Sequence, residues 1–171
     1  MKMTSAAANK MLKKLKEDKI YYLTKEEECY YYIAAVGEEP VIPDYDFNEV
    51  NARIAEINRK ILCLKHAINL ANCSNTITAC GEELTIDGVL IRMAQLNSRK
   101  GFLDRRRKAQ PKTRLADTGY MGGRKSLVEY EYINYNIEDA EKMYEETDTQ
   151  LVELQMALDI YNQTFEFDVN I

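Results

Sequence analysis

Arg99-Lys100, Arg105-Arg106-Arg107-Lys108, Lys112, Arg114 and Arg124-Lys125 bring ten cations into the stretch 99–125. A guanidinium presents a rigid fork of donors that matches phosphate or carboxylate with two parallel hydrogen bonds, which an ammonium does not. A run this dense, at a helix end and in a Gly-containing loop, can contact several phosphates with salt-sensitive affinity. Phe102 and Tyr120 supply aromatic company, without a recognised RNA- or DNA-binding module around them. The same cations have a plainer use. Positive charge suits the C-terminal turn of a helix. A basic loop can also dock on the acidic surface of its own or another subunit, with Glu26-Glu27-Glu28 and Glu38-Glu39 as partners. Arg99, Lys100, Arg105, Arg106, Arg107, Lys108, Lys112 and Arg114 are therefore the candidate anion- or partner-binding residues. A neighbouring copy is preferred over nucleic acid as what they meet.

The second chemical pattern is Cys63, His66, Cys73 and Cys80, in the order C-x2-H-x6-C-x6-C. Thiolate and imidazole are zinc ligands, and Cys63 and His66 share a helix face at i, i+3. Structural zinc sites use two close pairs, however, and these x6 spacings are loose. Buried free cysteine packs as a small hydrophobe. The preferred reading is structural, with His66 on the helix surface and no metal or cofactor. Catalysis is not indicated either. There is no Ser-His-Asp order, and Gly119-Tyr120-Met121-Gly122-Gly123 lacks the Lys-Ser/Thr of a phosphate loop. Glu129, Glu131, Glu166 and Asp168 read as the solvent side of a sheet. The chain is expected not to be an enzyme, and no small-molecule substrate is indicated.

Eight of the twelve tyrosines cluster at Tyr21-Tyr22, Tyr30-Tyr31-Tyr32 and Tyr130, Tyr132, Tyr135. Tyrosine joins apolar area to a polar tip and is favoured at interfaces. Consecutive tyrosines cannot all face one core, so some are expected to cover the sheet and some to make an oligomer contact.

The elements that must position these groups are mostly helices. Phe47, Val50, Ile54, Ile57, Ile61, Leu64, Ile68 and Ala71 keep a 3-4 spacing, as do Ile137, Ala140, Tyr144, Thr147, Leu151, Leu154, Leu158 and Tyr161. Each stripe implies about 25 helical residues, roughly 37 Å, with one face turned to a partner helix. Asp46 with Glu49, and Asn136 with Asp139, cap their starts. The spacing predicts helices over 46–72 and 137–162. A third runs over 86–109 behind Thr85, with Ile86, Val89, Met93, Leu96 and Leu103 in its stripe and Lys100 interrupting it. A fourth, over 5–23, places Leu12, Leu15, Ile20 and Leu23 on one face. Thr24 with Glu27 offers a restart, so its end is open.

Strands are expected over 164–171, which alternates polar and apolar residues, and over 126–135, rich in β-branched and aromatic residues. Cys29–Val36 reads as a third strand ended by Gly37, or as a continuation of the first helix. The stretch 110–125 reads as a mobile basic loop.

Length, charge and targeting signals bound the rest. The 171 residues suit a single domain. Seven Gly and three Pro exclude a fibrous chain. The net charge of −5 hides a split: residues 92–125 hold 11 Lys/Arg against 2 Asp/Glu, and the remainder 12 against 26. The start looks signal-like for a few residues but breaks at Lys10, Lys13, Lys14 and Lys16. No window approaches the ~18–20 apolar residues of a membrane helix. A cytoplasmic chain with free thiols and no membrane partner is the expectation.

Several segments, in order, resemble an uncharacterised family of small bacterial helical proteins, some carrying the name septicolysin. They are Gly37-Glu38-Glu39-Pro40, Lys65-His66-Ala67-Ile68-Asn69, Leu84-Thr85-Ile86-Asp87, Ala94-Gln95-Leu96-Asn97, Glu129-Tyr130-Glu131-Tyr132 and Leu158-Asp159-Ile160-Tyr161-Asn162. The resemblance implies a helical protein of unknown role, and the septicolysin name implies pore formation. It carries no functional residue onto this sequence.

The whole reading is an α+β, mostly α chain. It forms an antiparallel long-helix, coiled-coil-like bundle with a small two- or three-stranded antiparallel sheet at one end. Its expected function is that of a non-enzymatic homo-oligomeric interaction protein. The alternative is nucleic-acid binding through residues 99–125.

Overall fold

Helices begin where the sequence supplies an oxygen to their first free amides. In the computed structural model, which describes residues 1–115 and 128–171, Thr4 Oγ1 accepts from Ala7 N at 3.2 Å and Asp46 Oδ1 from Glu49 N at 2.9 Å. These caps open α1 (Ser5–Cys29) and α2 (Phe47–Ser74). Asn136 Oδ1 accepts from Glu138 N, one residue short of the expected Asp139, ahead of α4 (Ile137–Thr164). The remaining helix is α3 (Ile86–Arg107). Among the described residues six short strands accompany them: β1 (Lys2–Thr4), β2 (Thr76–Ala79), β3 (Glu82–Thr85), β4 (Lys112–Arg114), β5 (Tyr130–Tyr132) and β6 (Glu166–Asp168). The described chain is thus mostly helical, and its strands form antiparallel two-stranded ribbons, β1–β6, β2–β3 and β4–β5. It divides into two compact units, residues 1–87 with 157–171, and residues 88–156.

In the first unit α1 and α2 are antiparallel neighbours. Leu23 and Glu26 near the end of α1 line the same cavity as Tyr45 and Phe47 at the start of α2. At the other end β6, paired to the strand that leads into α1, sets Phe167 against the same core as Ala67 and Ile68 of α2. Ala8, Leu12, Leu15, Ile57 and Leu64 bury together with Met3 and Val169. The β1–β6 register is Lys2↔Asp168, Met3↔Phe167, Thr4↔Glu166. Val50, Ile57, Leu64 and Ala71 are the deep positions of α2, with Ile54, Ile61 and Ile68 half-buried between them. That is how a seven-residue period meets a single partner. The α2 end is fastened at Ala71 O, which accepts from Asn75 N at 3.1 Å, Asn75 Nδ2 at 2.7 Å and Tyr161 Oη at 3.5 Å.

In the second unit α3 and α4 also run antiparallel. Lys100 pairs with Asp148, and seven residues further along α3 Arg107 pairs with Glu141, seven residues back along α4. Val89, Leu103, Ala140, Thr147, Leu151 and Leu154 are buried. Arg114 pairs with Tyr130 and Lys112 with Tyr132 in the β4–β5 ribbon.

Several expectations are corrected. Cys29–Val36 is no strand: Cys29 closes α1, and the residues after it leave the helix. In a central tyrosine run of this kind, β-propensity does nothing without a neighbouring strand to pair with. The restart at Thr24 does not occur, because α1 is continuous to Cys29. Leu12 and Leu15 are buried, but Ile20 and Leu23 are exposed, since the shared core ends before them. Phe47, the first member of the α2 stripe, is exposed as well. The expected strand over 164–171 shrinks to Glu166–Asp168, because α4 extends to Thr164. The expected strand over 126–135 shrinks to Tyr130–Tyr132, with residues 126 and 127 outside those described. Within 110–125, Lys112–Arg114 is a paired strand rather than loop, while residues 116–125 lie outside those described. The small sheet is instead a set of separate ribbons. Two of their strands, β2 and β3, lie where no strand is expected from the residue pattern, and β1 precedes the first helix.

Candidate functional site

Helical spacing sorts the basic residues before any partner is considered. Positions 100 and 107 continue the apolar stripe of α3, while 99, 102 and 106 lie together on another face. The stripe cations are neutralised. Lys100 Nζ meets the Asp148 carboxylate and lies 5.5 Å from the Tyr144 ring centre. Arg107 bonds Asp104 and Glu141, each at 2.8 Å, and its guanidinium carbon lies 4.0 Å from the Tyr144 ring centre. Lys108 Nζ reaches Asp104 Oδ2 at 2.7 Å. The pKa values follow these contacts. Hydrogen bonding to Asp148 raises Lys100, hydrogen bonding to Asp104 raises Arg107, and hydrogen bonds from Lys108 and then Arg107 lower Asp104. The interruption of the α3 stripe at Lys100 is therefore answered across the helix pair by Asp148 and Tyr144.

The second face holds its charge differently. The guanidinium carbons of Arg106, Arg99 and Arg105 lie 4.5, 5.5 and 5.9 Å from the Phe102 ring centre. None of the three has a carboxylate partner among the described residues. Tyr135 lies 6.0 Å from Arg106 and donates its hydroxyl to Arg106 O at 2.9 Å. Arg99, Phe102, Arg106, Tyr135 and Asp139 line a cavity of about 270 Å³. Its walls offer two forked donors, two aromatic rings and one carboxylate. Such a set takes a partner that presents both an anion and a donor. On the ribbon, Lys112 Nζ stands 3.9 Å from the Tyr130 ring centre and 5.3 Å from that of Tyr132, and Arg114 is exposed.

The eight residues singled out from sequence thus do not form one patch. Lys100, Arg107 and Lys108 belong to the structure of the α3–α4 pair. Arg99, Arg105 and Arg106 gather on Phe102. Lys112 and Arg114 sit on β4. Tyr135 and Asp139 come to the cavity from the start of α4, and nothing in the basic run signals them. Phe102, three residues after Arg99 and four before Arg106, was legible from spacing alone.

The first unit carries a surface of opposite sign. Leu23, Glu26, Glu27, Tyr30, Tyr45 and Phe47 line a cavity of about 540 Å³. The Tyr45 hydroxyl is buried there with no hydrogen-bond partner among the described residues. Burial, then the Glu26 and Asp46 carboxylates, hold its pKa above the ordinary tyrosine value. Glu26, Glu27, Glu28, Glu38 and Glu39 have no cationic partner among the described residues. Elsewhere in this unit Cys63 and His66 line a cavity of about 430 Å³ with Phe165 and Phe167, while Cys73 and Cys80 do not reach it. None of the four cysteines is in a disulfide, and no cluster of His, Cys, Asp or Glu suited to a metal ion occurs among the described residues. No helix among the described residues is long and apolar enough to cross a membrane.

No family model, curated protein or solved structure matches this chain.

Proposed function

We propose that the chain is a non-enzymatic, self-associating interaction protein, a coiled-coil-like long-helix bundle that docks on a second copy through the arm between α1 and α2. The observation that carries this is the exposure of that arm. Ile33, Val36 and Val41 are 86, 107 and 89 % exposed, and Tyr30, Tyr31, Tyr32, Ile42 and Phe47 are exposed beside them in sequence. Apolar residues exposed singly are ordinary, but a run of them marks a contact surface. Over residues 31–45 the backbone makes one internal hydrogen bond among the described residues, Glu38 N to Ala35 O at 3.2 Å, closing a turn in which Gly37 has φ +89°. Pro40 and Pro43 keep the preceding residues extended. The arm is thus apolar, extended and free to pair.

The test is to replace Ile33 and Val36 by Ser, which removes apolar area without adding charge. Neither packs in the core, so the single chain should keep its fold. The expected outcome is a mass of 19.8 kDa, that of one chain, under conditions where the unaltered protein is larger. Unchanged association would refute the arm as the contact.

A second reading is favoured by one observation, the three arginines on Phe102 without a carboxylate partner among the described residues. It is nucleic-acid binding by residues 99–125, of which 116–125 lie outside the described residues. Binding of mixed-sequence RNA or DNA at low salt supports it, and its absence removes it. The resemblance to the septicolysin family adds no site residue to either reading.

A further inference from the structure

We propose that the acidic cavity at the base of the arm meets the arginine face of a second copy, with Arg99 and Arg106 of one chain entering the Glu26–Glu27–Tyr30–Tyr45 cavity of the next. This rests on the self-association reading and specifies its geometry. Both surfaces carry charge that nothing in the described chain neutralises, and the charges are opposite. Lys100, Arg107 and Lys108, the neighbouring cations, are already paired and have nothing to gain. Each surface also brings rings to its charges. A guanidinium entering an acidic, aromatic cavity donates two parallel hydrogen bonds to a carboxylate and lies on a ring face at once, which a lysine cannot match.

Asp139 decides between a protein and a phosphate chain. It lines the arginine cavity as an exposed carboxylate that repels a second anion and can accept from a donor. A polyphosphate brings only acceptors and meets repulsion there. A segment with Glu26, Glu27 and Tyr30 brings carboxylates for Arg99 and Arg106 and a hydroxyl donor for Asp139. The contact joins unlike surfaces, so it is heterologous and repeats from copy to copy as a ring or an open chain.

Two variants test this, Glu26→Arg with Glu27→Arg, and Arg99→Glu with Arg106→Glu. All four side chains are on the surface and outside the hydrophobic core, and circular dichroism melting verifies that each variant is folded. Each variant alone presents like charges on both surfaces, and its self-association should weaken by more than about tenfold. An equimolar mixture restores opposite charges and should recover assemblies larger than either variant forms. Variants that associate as the unaltered chain does overturn the pairing while leaving self-association standing. So does a mixture that stays at the single-chain mass. An unaltered protein that never associates overturns both. Short mixed-sequence RNA that binds the unaltered chain and loses affinity for Arg99→Glu/Arg106→Glu, with self-association unchanged, assigns the arginine face to nucleic acid and also overturns the pairing.

Discussion

Asp104 accepts from two cations, Lys108 and Arg107, and those hydrogen bonds hold its carboxyl below the usual aspartate value. A folded-state pKa below the unfolded one stabilises the fold above the ordinary aspartate pKa of about 3.9, and that contribution is lost as pH falls through the folded value. Asp104→Asn should therefore be less stable than the unaltered chain at neutral pH. The difference should narrow as pH drops below about 4. Urea midpoints at neutral and acid pH measure it, and a difference constant with pH would contradict the assignment. The sequence shows Arg105, Arg106 and Arg107 as three equal arginines. What separates them is the face each occupies and the acids brought by α4, Glu141 to Arg107 and none to Arg105 or Arg106. Helical spacing predicts the first of these. The second depends on the register of α4 against α3, which no local pattern encodes.

The long helices were legible because heptad spacing and caps are local signals. Asp46, the α2 stripe from Val50 to Ala71 and the α4 stripe from Ala140 to Tyr161 all appear where the pattern placed them. Their depth was not legible, since it depends on where the partner ends. Leu64→Ala, in the fully buried centre of α2, should cost about 2–5 kcal/mol in denaturant unfolding. Phe47→Ala, on the same stripe but exposed, should cost far less, and equal losses would refute the placement of the core. The β2–β3 hairpin escaped because its strands are four residues each and its turn is Cys80-Gly81, not the Asn-Gly or Asp-Gly that announces such turns. Both turn residues have positive φ, +53° and +73°, the signature of a type I′ turn. A Cβ at Gly81 meets nothing within 4 Å. The cost of Gly81→Val is therefore conformational, about 1–3 kcal/mol. Thermal unfolding checks it, and an unchanged midpoint would contradict the left-handed turn. Cys29–Val36 failed as a strand for the complementary reason: its residues favour pairing, but no described strand lies beside it.

Across the whole chain, the net charge of −5 is a poor guide to what the protein meets. The positive stretch is partly consumed within the α3–α4 pair, while Arg99, Arg105 and Arg106 gather on Phe102 in one compact unit. The unpaired acids and the exposed arm belong to the other unit. Among the described residues neither surface has an ionic partner, and in the proposed assembly a second copy answers both. Sedimentation equilibrium of the unaltered protein across the micromolar range tests this most directly. The account predicts an average mass above 19.8 kDa that rises with concentration and falls with added salt, as ionic contacts are screened. A mass of one chain at every concentration would contradict it.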